Sequence, residues 1–389
     1  MNENHIGESL DFCNFLRHLV RKSYVRKQKQ QSYVKVLKVA KMSSCLLKNR
    51  IPSLRFVQKR FSSLLSSPKQ EELRIPVPWG HIAGKTWGNP QGIPVICLHG
   101  WLDNAGSFDK LAPLLPNDSH KFIAIELPGH GFSSHFPEGM SYRFSDTFTV
   151  LKYTKEFMNI QKFAIIGHSL GAAVGIWYTS IFPEDVDRLI SIDLVNVGPV
   201  TLDKHAKKSK ESVLSGIKTF KKLSAQGQDE PTYEYIDAVA RAFMANQYAH
   251  GNDSITQESV ETLMKRGLKP TSDGTYTWSA DLRLRVPAAF SALEEQVLHY
   301  ASRIQCPMLL LKGTESHYYM QEEVAKRIIK AYINHNPNFQ LAKIQGGHHV
   351  HMDHPDRIIS QINDFLFRAH SYWNEETLEK QENFPLDLF

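Results

Sequence analysis

The chain has 389 residues, of which 42% are hydrophobic and 22% charged, and its formal net charge is +6. This balance is typical of a globular protein that buries one large core or two modest ones. No run of about 18 apolar residues occurs, so we expect no transmembrane helix. The four cysteines (Cys13, Cys45, Cys97 and Cys306) are widely scattered, which excludes a close zinc-binding pair and a dense disulfide framework and favours reduced thiols inside the cell.

The excess of basic over acidic residues is confined to the N-terminal segment. Residues 12–70 contain 15 Lys or Arg and no Asp or Glu, whereas residues 71–389 contain 31 basic and 37 acidic residues. The acidic remainder gives no support for nucleic-acid binding, because such domains carry clustered positive charge. We therefore expect a boundary near residue 70 and a folded domain over residues 71–389.

Residues 1–70 have the composition of a targeting segment. They are basic, Ser-rich and poor in acids, as mitochondrial transit peptides are. A start at Met42 fits such a peptide better than a start at Met1, because the acidic residues among the first 11 would oppose import. A disordered basic tail and a membrane-surface contact are the alternatives, and the expected location is mitochondrial or otherwise cytoplasmic.

Short apolar runs of the buried-strand type follow a predicted hairpin at residues 74–88. Helix-length amphipathic segments separate most of these runs, and a further helix is predicted at Asp356–His370, after Pro355. Strands that alternate with helices predict an α/β fold in which helices flank a mostly parallel sheet. The runs are Ile93–Leu98, Phe122–Ile125, Phe163–Ile166, Leu189–Ile192, Met308–Leu311 and Leu341–Ile344.

One long interval breaks this alternation. Between Asp193 and Cys306 no buried-strand run occurs, while residues 202–223 and 233–245 have a helical pattern. A structureless loop of that size is unusual in a compact domain. We therefore predict a helical cap inserted into the folded domain at about residues 197–305.

The strand-like run Phe163–Ile166 leads directly into Gly167-His168-Ser169-Leu170-Gly171 and then into a helical segment. In a strand–turn–helix context, G-x-S-x-G places the Ser on a sharp turn where its Oγ projects above the sheet edge. Glycine on both sides avoids side-chain clash at the close crossing of helix and strand. The pattern predicts Ser169 as a nucleophile; the alternative is an inert Ser in a Gly-rich turn.

Attack by a Ser on a carbonyl creates an oxyanion, which needs fixed hydrogen-bond donors. In this type of fold one donor is the backbone N–H of the residue after the nucleophile, here Leu170, and another comes from the loop after an earlier strand. That loop begins at His99-Gly100-Trp101. We therefore assign the second donor to the backbone N–H of Trp101, whose ring can also serve for packing.

A base must accept the proton of the Ser hydroxyl. A loop with four histidines (His348, His349, His351 and His354) follows the last predicted strand, as expected for this fold. His348 comes directly after a Gly pair, so we assign the base to His348, with His349 as the alternative. A metal site in this run is set aside, because no Asp, Glu or Cys partner at an established spacing accompanies it.

The imidazole in turn needs a carboxylate that fixes its tautomer. After the strand-like run Met308–Leu311, Ser316 stands where an Asp is often found, and Glu315 is one residue away. The other candidate is Asp193, at the end of the preceding run. We assign the acid to Asp193 and keep Glu315 as the alternative. If Asp193 has no catalytic role, the alternative is that its carboxylate only accepts hydrogen bonds from backbone N–H groups of the loop.

These motifs, over about residues 74–370, resemble the α/β-hydrolase superfamily and within it the serine hydrolase-like (kraken-like) family. The resemblance rests on His99-Gly100-Trp101-Leu102-Asp103-Asn104, on Pro128-Gly129-His130-Gly131, on the G-x-S-x-G segment and on residues 347–351. It implies the fold, a Ser-His-acid triad and a small-molecule ester or amide substrate. In such a family the later acid position often lacks Asp, which supports Asp193.

The sequence thus favours a serine hydrolase that cleaves a small, hydrophobic carboxylic ester, thioester or amide without a metal or organic cofactor. Aromatic and apolar residues of the predicted cap are consistent with an apolar acyl group, and equally with packing inside the cap; they are Phe243, Met244, Tyr248, Trp278 and Phe290. The alternatives are an acyltransferase or C–C bond hydrolase with the same triad, and a non-catalytic protein that binds a ligand in a hydrolase fold.

Overall fold

The computed structural model describes residues 70–226, 231–251, 255–287, 291–316 and 320–367. The predicted targeting segment with Met42, the cap residue Phe290 and the end of the predicted helix 356–370 lie outside these ranges. Among the described residues, no helix is long and apolar enough to cross a membrane.

Eight strands form the main sheet, and they include all six predicted apolar runs and the predicted hairpin. Their bounds are β1 Glu71–Val77, β2 Gly80–Gly88, β3 Ile93–Leu98, β4 His120–Ile125, β5 Phe163–His168, β6 Val186–Ile192, β9 Met308–Gly313 and β10 Phe339–Ile344. The order across the sheet is β1-β2-β4-β3-β5-β6-β9-β10. Strands β1, β2 and β4 pair antiparallel, and all other pairs are parallel. The predicted α/β fold with a mostly parallel sheet is confirmed.

The central strands read as continuous apolar runs because both of their faces are covered. In β5, Phe163 and Ile165 belong to one hydrophobic cluster, whereas Ala164 and Ile166 belong to another. Successive side chains of a strand point to opposite faces, so these clusters are the cores above and below the sheet. Two-sided burial is what removes the alternation of polar and apolar residues from such strands.

Helices lie between the strands in the chain and supply the rest of both cores. Their bounds are α1 Asp146–Phe157, α2 Leu170–Ile181, α3 Leu202–Gln226, α4 Tyr235–His250, α5 Gln257–Gly267, α6 Glu294–Ala301, α7 Glu322–His335, α8 Val350–Asp353 and α9 Ile359–Phe367. Within the predicted C-terminal helix, the structure has a 3-10 turn at Pro355–Arg357 before α9.

The segment between β6 and β9, residues 197–305, is called the insert below. It contains α3 to α6, so the helical pattern over residues 202–223 and 233–245 is confirmed. It also contains a short antiparallel ribbon of β7 (Leu268–Pro270) and β8 (Tyr276–Trp278), which the prediction of a helical cap did not include. Three-residue strands are too short to show a period, which explains the omission.

Candidate active site

Ser169 lies on a sharp turn between β5 and α2. Its φ of 51° and ψ of −114° are strained for a residue with a side chain. The two flanking glycines are required by packing: a Cβ on Gly171 would lie 2.1 Å from the carbonyl oxygen of Leu98, and one on Gly167 would lie 2.4 Å from the Gly171 carbonyl oxygen. Ser169 is half-buried, so the turn presents it at the carboxyl end of the sheet while keeping it partly accessible.

His348 lies in the loop after β10 and is buried. Its Nδ1 donates to Oδ2 of Asp193 at 2.6 Å, so in the neutral ring Nε2 is the basic nitrogen. Its carbonyl oxygen accepts a hydrogen bond of 2.9 Å from Nε2 of His168, the residue before Ser169. Burial, with help from His168, His349 and His250, lowers the pKa of His348 well below its ordinary value. The ring is therefore neutral at pH 7, as a base must be.

Asp193 follows β6 directly and is 1% exposed. Oδ1 accepts from Nζ of Lys312 at 2.8 Å and from the backbone N–H of Gly313 at 2.9 Å. Oδ2 accepts from the Ser316 hydroxyl as well as from His348. Burial raises the pKa of Asp193, while Lys312, Ser316 and Gly313 favour its charged form. The carboxylate is thus held in place by four donors, one of which is the imidazole.

The later acid candidate is placed differently. Glu315 is exposed, and its backbone N–H donates to the Gly346 carbonyl oxygen at 3.0 Å. Ser316, at the position where an Asp is often found, is buried and donates its hydroxyl proton to Oδ2 of Asp193. The structure therefore brings Asp193 together with His348, and it turns the later loop into a donor for that carboxylate.

The backbone N–H groups of Trp101 and Leu170 are assigned to the oxyanion. Neither has an acceptor among the residues that the structure describes. The Trp101 ring is 49% exposed, and its Nε1 donates to the carbonyl oxygen of Leu284 in the insert at 3.0 Å. The ring thus connects the loop after β3 with the insert, while the backbone N–H of Trp101 stays available.

Backbone strain is concentrated at these same positions. Within the described ranges, four residues other than Gly have a positive φ, and three of them are Leu102, Ser169 and Asp193, at 63°, 51° and 54°. Such conformations cost about 1–3 kcal/mol each and cluster at functional sites. The strain supports a functional use of all three loops, since the core alone does not require it.

Several residues beside the site were not predicted from the sequence. His168 lies inside the G-x-S-x-G segment. Its ring centroid is 4.1 Å from that of His351, 4.7 Å from that of His348 and 5.0 Å from that of His349. Asp103 lies 3.6 Å from Nδ1 of His168. Both residues belong to motifs that indicated a functional site, the G-x-S-x-G segment for His168 and the segment 99–104 for Asp103. No local pattern indicated that their side chains meet.

A cavity of about 460 Å³ adjoins the site. The loop after β3 supplies Trp101, Leu102 and Asp103 to its wall, and the insert supplies most of the remainder. His250 of α4 lines the cavity and stacks on His348, with ring centroids 4.4 Å apart. Of the cap residues singled out in the sequence, Tyr248 and Trp278 line this cavity, while Phe243 packs in the small core of the insert and Met244 is 55% exposed.

Comparisons with known proteins agree on one family. The family model for the alpha/beta hydrolase fold matches residues 93–355, which include Ser169, Asp193 and His348. A serine hydrolase-like protein of Danio rerio is 32% identical over 311 residues, which are 79% of this chain and 92% of that protein. Serine hydrolase-like protein 2 of Homo sapiens is 30% identical over 315 residues, 77% of this chain and 95% of that one.

Solved structures are similar to this chain in fold. The crystal structure of a hypothetical protein from Pseudomonas aeruginosa PAO1 is similar with a TM-score of 0.65 and 30% sequence identity, over 77% of this chain and 99% of that one. A thioesterase domain from the curacin biosynthetic pathway has a TM-score of 0.59 at 23% identity, which is a likeness of fold.

Proposed function

This chain belongs to the α/β-hydrolase fold family, within its serine hydrolase-like group, and on that premise we propose that it hydrolyses a small carboxylic ester or thioester with Ser169, His348 and Asp193 as its triad. The observation that carries the proposal is the buried 2.6 Å hydrogen bond between His348 and Asp193, in a loop that is also bonded to the residue before Ser169. Fold alone does not decide activity, and this constellation supplies the chemistry.

The reaction proceeds in two halves. Ser169 Oγ attacks the acyl carbon while Nε2 of His348 takes the hydroxyl proton, and the imidazolium that forms is stabilised by Asp193. The tetrahedral intermediate then expels the alcohol or thiol, which receives that proton, and leaves an acyl group on Ser169. Water attacks this ester with His348 again as the base, the acid product leaves, and the Ser hydroxyl is restored.

The oxyanion is assigned to the N–H groups of Trp101 and Leu170. Support comes from the absence of any acceptor for them in the described part of the chain and from the strained Leu102 beside Trp101. Leu170 is the first residue of α2, where the helix dipole also favours negative charge. Donors that need no reorganisation stabilise the developing charge at the least cost.

We further propose that the insert acts as a cap that sets substrate size. Its wall of the cavity is largely apolar, which suits a hydrophobic acyl group. Apolar and aromatic side chains of the lining include Tyr248, Val260, Leu263, Met264 and Trp278.

Two arginines add a polar feature to this wall. Arg241 and Arg285 both line the cavity, and the Arg241 guanidinium lies 5.0 Å from the ring centroid of Tyr233. Neither guanidinium has a salt-bridge partner within the described ranges. Guanidinium groups bind carboxylate and phosphate groups well. We infer a preference for esters that carry an anionic group at the end remote from the reacting carbonyl.

The test is labelling with a fluorophosphonate, which reacts only with an activated Ser. The wild-type protein is expected to be labelled, whereas Ser169→Ala and His348→Ala are not, and His354→Ala, from the same loop, is labelled like the wild type. Unlabelled wild-type enzyme is then screened with a panel of esters and thioesters. No labelling of folded wild-type protein, or labelling that persists in Ser169→Ala, contradicts the proposal and favours a ligand-binding role for the cavity.

A further inference from the structure

Three side chains of metal-binding types meet in the interior beside the nucleophile turn. Oδ2 of Asp103 lies 3.6 Å from Nδ1 of His168 and 3.8 Å from Nε2 of His349. The three ligand atoms lie within 4.8 Å of one another. The residues are 6%, 0% and 2% exposed, respectively. They come from the loop after β3, the last residue of β5 and the loop after β10, so only the tertiary structure brings them together.

The hydrogen bonds of His168 leave an electrostatic conflict at this point. Its Nε2 lies 2.9 Å from the carbonyl oxygen of His348, and since a carbonyl only accepts, Nε2 carries the proton. In the neutral ring Nδ1 then presents a lone pair, and it faces a carboxylate oxygen of Asp103. Both atoms are buried, and within the described ranges neither has a hydrogen-bond partner. Two buried acceptors facing each other are unfavourable unless a positive group lies between them.

We propose that Asp103, His168 and His349 form a binding site for a Zn²⁺ ion. Zinc takes imidazole nitrogens and carboxylate oxygens at about 2.0–2.2 Å, which places tetrahedral ligands about 3.3 Å apart. The two separations from Asp103, 3.6 and 3.8 Å, exceed that distance by a few tenths of an ångström. All three atoms lie within 4.8 Å of one another, so binding of an ion requires side-chain rotations that draw them together. Two neutral imidazoles and one carboxylate also match the ligand preference of zinc.

Two neighbouring histidines each have another partner at one ring nitrogen. Nδ1 of His348 is bonded to Asp193, and Nε2 of His351 lies 2.7 Å from the Ser107 hydroxyl. Among the described residues, the grouped ligands are Asp103, His168 and His349, which leaves a fourth position for water or a small anion. Asp103 lines the 460 Å³ cavity, which gives the ion a route from solvent.

An ion at this site would connect the loop after β3, the nucleophile turn and the loop after β10. These segments carry the proposed oxyanion donor Trp101, the nucleophile and the base. Because the site exists only in the folded chain, binding of the ion stabilises the folded state. The inference does not depend on the hydrolytic activity, and the metal is given no step in that reaction.

Sequence reasoning set a metal aside because the run from His348 to His354 has no acidic partner at an established spacing. The proposed site uses a different group of ligands: of that run it includes only His349, and Asp103 and His168 come from distant segments.

The experiment uses the full chain after treatment with a chelator. Zn²⁺ alone is titrated calorimetrically, and crystals grown with Zn²⁺ are examined by anomalous diffraction at the zinc edge. We expect one tightly bound ion per chain, with its peak about 2.0–2.2 Å from each of the three atoms. Asp103→Asn, which keeps the shape but removes the charge, is expected to weaken binding by at least about 100-fold.

Two matched variants complete the design. His354→Asn removes a histidine of the same loop that is outside the site, and Ser169→Ala removes the proposed nucleophile; both are expected to bind Zn²⁺ like the wild type. The proposal is overturned by a folded wild type that binds no stoichiometric Zn²⁺, by undiminished binding in folded Asp103→Asn, or by an anomalous peak elsewhere. Should Asp103→Asn not fold, the position of the wild-type peak decides.

Discussion

The ammonium nitrogen of Lys312 lies 2.8 Å from Oδ1 of Asp193, with the lysine side chain 5% and the aspartate side chain 0% exposed. Two further acceptors, the carbonyl oxygens of Gly313 and Ser316, lie 3.2 and 3.0 Å from the same nitrogen. A buried lysine paired in this way favours the charged form of the carboxylate and so opposes burial, which raises the pKa of Asp193. Lys312 thus contacts the proposed triad through Asp193.

The contact between Lys312 and Asp193 leads to a prediction for the pH dependence of kcat/KM. The active form of the Asp193–His348 pair carries one proton, and a second proton inactivates it, whichever group takes it up. Removal of the Lys312 charge makes uptake of that proton easier, so Lys312→Met is expected to move the acidic limb of kcat/KM to higher pH by about 1 unit or more. In the wild type the lowered pKa of His348 keeps that limb below the ordinary imidazole value of about 6.5.

The measurement is a profile of kcat/KM against pH with a p-nitrophenyl ester. Lys330→Met, which removes an exposed lysine of α7, is the control and is expected to leave the profile unchanged. A folded Lys312→Met with an unshifted acidic limb would show that the lysine is only a packing element.

The choice of acid gives a second prediction. Asp193→Asn is expected to lower kcat by about 10⁴-fold, because the imidazole loses the group that fixes its tautomer and stabilises its charge. Glu315→Gln, at the exposed alternative position, is expected to change kcat by less than about twofold, as a surface substitution does. Steady-state kinetics of both variants decide; the reverse order of effects would assign the acid to the later loop.

The close packing of the nucleophile turn predicts opposite effects for two helical glycines. In Gly171→Ala the new Cβ would lie 2.1 Å from the Leu98 carbonyl oxygen, which is backbone of β3 and cannot move aside, so we expect a loss of several kcal/mol in the free energy of unfolding, about 3 or more. In Gly216→Ala, within α3, the new Cβ meets only Val286 at 3.8 Å, and the better helix propensity is expected to add about 0.5–1 kcal/mol.

Urea denaturation of the wild type and of both variants measures these changes. A Gly171→Ala protein as stable as the wild type would mean that α2 can shift away from β3, and the packing explanation of the motif would then be wrong.

The arginines of the cavity give a fourth prediction. The wild type is expected to have a lower KM for a monosuccinate ester than for the neutral pentanoate ester of the same alcohol. Arg241→Gln and Arg285→Gln should each raise KM for the anionic ester, by about fivefold for a partly exposed charge pair worth near 1 kcal/mol, and leave the neutral ester unchanged. Equal KM values for both esters in the wild type would remove the inferred preference for an anionic group.

The sequence by itself determined the features that depend on neighbouring residues. The apolar runs predicted the strands of the main sheet, because a strand covered on both faces needs consecutive apolar side chains. The glycines around Ser169 predicted the turn, because the close approach of α2 to Leu98 leaves no space for a Cβ at Gly171. Both are local requirements, and a local pattern therefore contains them.

Only the tertiary structure decided which distant side chains meet. The sequence favoured Asp193 and left Glu315 open as the acid, and only the positions of the loops after β6, β9 and β10 place Asp193 at 2.6 Å from His348. The same holds for Lys312 beside Asp193 and for Asp103 beside His168 and His349. Parallel strands end at one edge of the sheet, so residues far apart in sequence converge there, and their contacts depend on strand order and loop path, which no local pattern records.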